Sequence, residues 1–360
     1  MKKTLLALAV TAFAASSANA TVIYKKDGTT IDLDGRAHFE LMNEKNPTLQ
    51  STKRTDLKDR GTRLRVRAYQ EIGGGFSALG GVELRFSDNE TIGSNFRTHR
   101  LFAGITNPDI GTLTFGRQLV LGDHIPKANY TYEWGGNVLF DAHKKSAAFM
   151  SKSMNGVRLA TDYYFGNSNK HSGNNTLSSG SSVWDEGQGF GVGAFYDGSF
   201  GDFTVRFGSG YTEVKQLPAG SLSESDEYKL KRAGVGFDVK YQKVTLGFDW
   251  AYGKATKDAI AQNNVFQLGL GGGFNKINRY QVGLKFDVTE QNALYSAYYF
   301  GKGENPNIAD QKMRGWMIGA DHRFNKSVAV YIEGGKADVK QAGTKVKDYH
   351  RVLVGTRILF

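Results

Sequence analysis

The sequence predicts an all-β chain closing into a sixteen-stranded antiparallel barrel that crosses a membrane, and three observations predict it. Apolar and polar residues alternate strictly in segment after segment. In "INRYQVGLKFDVT" (277–289), Tyr280, Val282, Leu284, Phe286 and Val288 oppose Arg279, Gln281, Lys285 and Asp287. Alternation of this kind marks strands, whose side chains point to opposite faces in turn. The connections alternate between short and long, which puts tight turns at one end of a meander and long loops at the other. The chain is also rich in Gly (45), Phe (23) and Tyr (17) and poor in Pro (5), a composition that favours strands and turns over helices.

The elements follow in order. Residues 1–20, "MKKTLLALAVTAFAASSANA", read as an export signal: Lys2 and Lys3, an apolar run over Leu5–Ala15, then Ala18-Asn19-Ala20 as the cleavage site. That run is well short of the ~20 apolar residues of a spanning helix. The mature chain, residues 21–360, then forms a single barrel domain. In "IDLDGRAHFEL" (31–41), Ile31, Leu33, Ala37, Phe39 and Leu41 oppose Asp32, Asp34, Arg36, His38 and Glu40. In "GTRLRVRAYQEI" (61–72), Leu64, Val66, Ala68 and Ile72 oppose Arg63, Arg65, Arg67 and Glu71. In "FSALGGVELRFS" (76–87), Phe76, Ala78, Val82, Leu84 and Phe86 oppose Glu83 and Arg85.

Further strands are predicted at 97–107, 112–118, 144–154, 157–165, 189–197, 202–214, 228–242, 244–254, 277–289, 293–301, 313–324, 328–338 and 349–360, which completes sixteen. Short connections fall at 73–75, 107–111, 155–156, 197–201, near 243, 290–292 and 325–327. Long ones fall at 43–56, 88–96, 119–143, 166–188, 215–227, 255–276, 302–312 and 339–348. A β-sandwich would show turns every 8–12 residues and crossover connections.

An apolar face in contact with lipid requires every backbone polar group to be paired, so the sheet must close. Register is then fixed, because a one-residue slip would turn Arg279 and Lys285 outward at roughly 2–4 kcal/mol each near the midplane. About sixteen strands leave a water-filled channel, whereas eight pack solid. Tyr241, Phe286, Phe300, Phe324 and Phe360 near strand ends read as interfacial girdles, with some packing against other subunits instead.

Composition excludes other classes. The formal charge is +11, and +9 once Lys2 and Lys3 are removed. In an exported chain the counterparts of that charge are anionic solutes or anionic glycolipid rather than nucleic acid. With no cysteine there is neither a disulfide framework nor a thiolate metal site. After Ala20 no window approaches eighteen apolar residues, and the mean hydropathy of −0.41 is what lipid-facing and water-facing residues in alternation give. "GFGVGAF" (189–195) and "GLGGGF" (269–274) precede no helical pattern and are not phosphate loops. The seven histidines lack metal-type spacing, HExxH is absent, and "GSGY" around Ser209 has no strand-turn-helix context. No catalytic residue, metal or cofactor is expected.

The start "VIYKKDGTTIDLDGR", then "TRLRVRA", "HRLFAGITNPDIGTLTFGRQ", "YEWGG" and the terminal "RILF" resemble the general porins of the Gram-negative outer membrane, across the whole mature chain and least in the loops. The resemblance implies a homotrimer of sixteen-stranded barrels, each narrowed by a third loop folded into its lumen. It also implies passive diffusion of ions and small hydrophilic solutes. The basic wall of the constriction falls on Arg36 in "LDGR", Arg63 in "TRLRV", Arg100 in "HRLFAG" and Lys144 in "AHKKSAAF". Arg65, Arg67 and Arg85 are further lumen-facing cations. The third loop is 119–143, where Glu133 in "YEWGG" matches the acidic residue. Asn129 stands where a second carboxylate is expected and Asn137 where Asp is frequent, and Asp123 and Asp141 are the other carboxylates at hand. Fewer loop carboxylates against the same wall imply anion preference or only weak cation preference.

Arg117 in "FGRQ" shares the outward Leu113/Phe115 face. It is expected either to receive a carboxylate from a neighbouring subunit's second loop, with Glu90 as the candidate, or to meet anionic lipid head groups. Terminal Phe360, with Ile358, Val354 and Val352 on its face, looks like the signal read by the barrel-assembly machinery. Lipopolysaccharide is the expected lipid partner. Two other readings of a closed barrel are a hydrolase, which needs a Ser/His/Asp or Asp/His cluster near the loop ends, and a surface adhesin or receptor, which would carry no steady current.

Overall fold

The computed structural model describes residues 20–45, 55–86, 92–93, 95–132, 138–166, 188–216, 227–256, 266, 273–306 and 308–360. The export signal through Asn19, and Glu90, Glu133 and Asn137, lie outside them. The strands are β1 (Thr21–Lys26), β2 (Thr29–Lys45), β3 (Asp56–Asp59), β4 (Arg63–Gly73), β5 (Phe76–Phe86) and β6 (Phe96–Asn107). Then come β7 (Gly111–Leu119), β8 (Ala142–Ser151), β9 (Val157–Tyr164), β10 (Gly189–Phe200), β11 (Phe203–Gln216) and β12 (Tyr228–Tyr241). The last are β13 (Val244–Ala255), β14 (Lys276–Asp287), β15 (Asn292–Asn305), β16 (Ile308–Arg323), β17 (Val328–Gln341) and β18 (Thr344–Leu359).

All belong to one antiparallel sheet. β2 pairs with β4, each later strand pairs with the next, and β18 returns to β2 from Leu359↔Arg36 to His350↔Lys45. That closes the sixteen-stranded barrel. Two short strands are additional to the sequence expectation. β1 covers the part of the β2 edge that β18 does not reach, from Thr21↔Leu33 to Lys26↔Thr29. β3 covers Phe39–Met42 on the opposite edge, beyond the point where β4 ends against Arg36. Both pair backbone groups that closure alone would leave open. Neither announces itself in sequence, since "TVIYKK" is exposed throughout and "DLKD" is too short to show a period.

Two stretches expected to be long loops, 302–312 and 339–348, are mostly strand. β17 and β18 are joined by Ala342 (φ 48°) and Gly343 (φ 83°), the doubly left-handed turn that matches strand twist. The outer face of these strand ends carries charged residues such as Lys302, Lys312 and Lys340, so the apolar alternation fades although the ladder continues.

Burial is inverted relative to a water-soluble fold. Outward Leu41, Leu101 and Ile332 are 52–60% exposed, whereas inward Asp34, Glu40, Glu83 and Glu333 are at most 2% exposed. The C-terminus is locked into this wall. Gly35 N–H donates to the Phe360 carbonyl (2.7 Å), and Phe360 N–H donates back to Gly35 O (3.1 Å). The Phe360 ring lies so close over Gly35 that a Cβ there would sit 2.5 Å from it.

Candidate constriction site

The inner faces of β2, β4, β5 and β6 carry the arginines, because each falls on the polar phase of its strand. At the turn end of this wall, charges cancel. Arg67 Nε donates to Asp32 Oδ1 (2.8 Å) and its Nη2 to Asp34 Oδ2 (2.9 Å), while Arg65 Nε donates to Asp34 Oδ1 (2.6 Å). Two cations meet two carboxylates, and little field escapes.

Nearer the middle the balance changes. The buried Glu83 carboxylate receives Arg85 Nε (2.6 Å), Arg100 Nη1 (3.1 Å) and Arg63 Nη1 (3.3 Å). One negative charge holds three guanidiniums. Arg36 donates to backbone oxygens, Nε to Gly61 O (3.0 Å) and Nη2 to Arg60 O (3.2 Å), so its charge is oriented without being neutralised. Arg60 Nε stands 3.4 Å from Glu40 Oε2. Arg357 on β18 lies with its guanidinium 4.6 Å from the ring centroid of Tyr132, in the third loop. Sequence reading passed over Glu83, Arg60 and Arg357 as constriction groups. The signal for Arg357 was present, because it lies out of phase with the outward set Ile358, Val354 and Val352.

The third loop leaves β7 and turns inward in a single 3-10 turn, Leu121–His124. Its neck is tied by Val120 N–H to Asp141 O (3.1 Å), and Leu121 N–H donates to the inner carboxylate of Asp162 (2.8 Å). Leu121, Ile125 and Leu139 then bury against Ala160 and Phe195. Farther along, the backbone N–H groups of Lys127 and Ala128 donate to the two oxygens of Asp249 (2.7 and 3.0 Å). The Tyr130 hydroxyl donates to Asp238 (3.3 Å). Tyr132 N–H donates to Glu333 (2.6 Å) and its hydroxyl to Asp321 (3.0 Å), while its ring stacks on Tyr331 at 3.9 Å. The loop therefore crosses the lumen along β9, β12, β13, β16 and β17, hung on wall carboxylates by backbone N–H groups and two tyrosine hydroxyls. Charge-assisted bonds of this kind are about twice as strong as neutral ones.

This clamp also decides the electrostatics. Asp249 and Glu333 turn toward loop N–H groups, while Asp238 and Asp321 take tyrosine hydroxyls of the loop and pair with Arg206 and Arg323, so these four carboxylates contribute little to the open side, and the arginine wall faces the remaining gap. Burial pulls the His124 imidazole below its ordinary value, so it adds no cation to the loop. Burial, with the carboxylate of Asp321, pushes the Tyr132 hydroxyl up to about 12, so it stays a donor.

Of the expected loop residues, Asp123 is exposed and within Coulombic reach of Arg100. Asn129 Oδ1 accepts from Thr131 N–H (3.3 Å) and Thr131 Oγ1 (3.0 Å), which shapes the loop. Lys144 lies on β8, two strands from Arg100, at an exposed position beside the buried His143. Arg117 is exposed on the Phe115 face of β7 and donates to Thr98 O (3.3 Å). Phe360 and Ile358 are exposed on the outer face of the closing seam. Among the described residues, no group of three or more His, Cys, Asp or Glu side chains could hold a metal ion.

The Gram-negative porin family matches residues 7–342 of the sequence. The chain belongs to the Gram-negative porins. A curated relative of this porin, the major outer membrane protein of Pasteurella multocida strain Pm70, is 34% identical over the full length of both chains. Among solved structures, outer-membrane expressed OmpT of Vibrio cholerae superposes with TM-score 0.68 at 17% identity, covering 94% of this porin and all of that chain. OmpF of Salmonella typhi, in complex with daunomycin, gives 0.66 at 16% identity, with 94% and 100% covered. The anion-selective porin of Comamonas acidovorans gives 0.63 at 16%, with 92% and 100% covered. These last three share the fold. The porin is a non-enzymatic outer-membrane channel for passive diffusion.

Proposed function

We propose that this porin filters small hydrophilic solutes at a charged constriction, between the arginine wall and the third loop, and that it passes anions in preference to cations or at most favours cations weakly. The observation that carries this reading is the sharing of one carboxylate, Glu83, by Arg63, Arg85 and Arg100. Fixed charges across a narrow wet gap order water and orient dipolar solutes, so apolar solutes are disfavoured. Asp123 supplies the opposing negative charge, with Glu133 as the family-matched second carboxylate. Lys144 contributes outside the main cluster. The description of the Comamonas acidovorans relative as anion-selective agrees with this sign. Reversal potentials across a KCl gradient in planar bilayers test it: a chloride-directed or near-zero potential is expected, and strong cation selectivity overturns it.

The assembly proposed is a homotrimer, a form in which one V. cholerae relative is described. Its contact flank is the uncharged outer face of β2 and β4–β7, with Arg117 at its loop end meeting Glu90 of a neighbour or a lipid head group. The opposite flank carries a different pattern. Lys231, Lys254 and Lys276 are successive cross-strand neighbours, as are Lys302, Lys312 and Lys340. Glu213, Glu304 and Asp310 pair with Lys231, Lys276 and Lys302, but the lysines in register outnumber these carboxylates and favour further counter-anions, and this row is proposed to face lipopolysaccharide phosphates. The aromatic band around Tyr280 and Phe300, stacked at 4.8 Å, lies on the lipid side of it. Residues 1–20 are proposed to be removed on export, and Phe360 with Ile358 to engage the assembly machinery.

A further inference from the structure

The lumen wall is not polar throughout. On β12, β14, β16 and β17, near their loop ends, the inward positions Leu230, Ile277, Met313 and Val339 are at most 6% exposed. Their phase is that of inward Arg232, Gln281, Met317 and Glu333, so they face the lumen and not the lipid. Water-filled barrels place polar groups there, and an apolar inner patch needs a cover. Two rings provide it, Phe266 and Phe274, from the connection between β13 and β14. They form an isolated antiparallel bridge, in which Phe274 N–H donates to Phe266 O (3.0 Å).

Both rings are seated on glycines of the wall. A Cβ on Gly253 would lie 2.6 Å from the Phe266 ring, and one on Gly303 would lie 2.5 Å from that of Phe274. Val138, on the return limb of the third loop, joins the same apolar cluster. Arg232 bridges the two loops, its guanidinium 4.4 Å from the Phe140 ring centroid and 5.2 Å from that of Phe266. A buried cation between two aromatic faces is attracted by both.

We propose that Phe266 and Phe274 form a second lumenal insert, which fills the loop-end lumen against β12–β17 and confines permeating solutes to the arginine-lined side, with Arg232 as the positioning residue that ties this insert to the third loop. The insert deepens the filtering role, because ions cannot bypass the basic wall through a neutral half of the mouth. It rests on the reading of the chain as an anion-favouring channel, and the test separates the two.

Wild-type protein and four variants are reconstituted in planar bilayers, with heat-modified gel mobility as the folding check. Phe266→Ala removes one ring. Gly253→Leu leaves both rings in the chain but takes the Phe266 seat. Each is expected to raise unitary conductance roughly 1.2- to 1.5-fold, as the narrow cross-section widens, and to make the KCl reversal potential less chloride-directed than that of the wild type. Arg232→Met is expected to reproduce both changes, and Arg232→Lys to restore wild-type values. A conducting wild type with folded Phe266→Ala or Gly253→Leu barrels of unchanged conductance and selectivity overturns the insert alone. Wild-type behaviour in Arg232→Met overturns the positioning role. A silent wild type sinks the channel reading instead.

Discussion

Glu83 sets how much of the arginine wall a solute feels, because its single carboxylate accepts from Arg63, Arg85 and Arg100. Substitution Glu83→Gln keeps an oxygen acceptor and removes the charge. The expected outcome is a reversal potential shifted further toward chloride, with stability lowered by roughly 1–3 kcal/mol as donors lose their best acceptor. Bilayer recordings and denaturant titration of the reconstituted protein check both. Arg65 and Arg67 behave differently, since Asp32 and Asp34 already cancel them. At this scale the strand phase was legible for Arg36, Arg63 and Arg100. What each guanidinium meets was not, because the partners lie in other segments of the chain, 17 or more residues away in sequence, and become neighbours only through cross-strand register.

The third loop is held by two devices that belong to elements and not to single side chains. Wall carboxylates take its backbone N–H groups, and wall glycines make room for its main chain. A Cβ on Gly283 would lie 2.0 Å from Ala128 O, and one on Gly236 would lie 2.3 Å from Ile125 O. Gly283→Val should therefore push the loop off the wall, giving an unstable open current and closure at lower voltage. Asp249→Ala, which frees two loop N–H groups at roughly 1–3 kcal/mol for each lost partner, should do the same. Steady currents in both variants would contradict the clamp. The loop, expected over 119–143 from where alternation stops, lies between the β7 end at Leu119 and the β8 start at Ala142. Its path was not, because glycines at "GLKF" and carboxylates at "GFDW" read only as strand residues until another segment is laid across them. The extensions of β15–β18 were missed for the converse reason: their outer face carries lysines in place of lipid-facing apolar residues, so the alternation that marks a strand is lost.

At the scale of the molecule, the inverted distribution of side chains makes a claim about solvent that can be measured. Val282 is 37% exposed, on the outer face at mid-height of β14. On a water-soluble protein, an arginine at such a site would be nearly neutral. Facing lipid near the midplane, Val282→Arg is expected to cost roughly 2–4 kcal/mol, seen as a lowered denaturation midpoint in liposomes. No loss of stability would argue that this face does not meet acyl chains.

Strand periodicity alone assigns residues to the two faces, gives sixteen strands to close the barrel, and requires one face to meet lipid. A period of two over successive segments, with no spanning helix, leaves few other ways to pair every backbone group. Where the lumen is narrow and which charges remain uncancelled there emerge only from the folded chain. Those depend on contacts among the third loop, β12–β17 and the arginine wall. Alternation along a strand says which way a side chain points, and carries no information about what another segment brings to meet it.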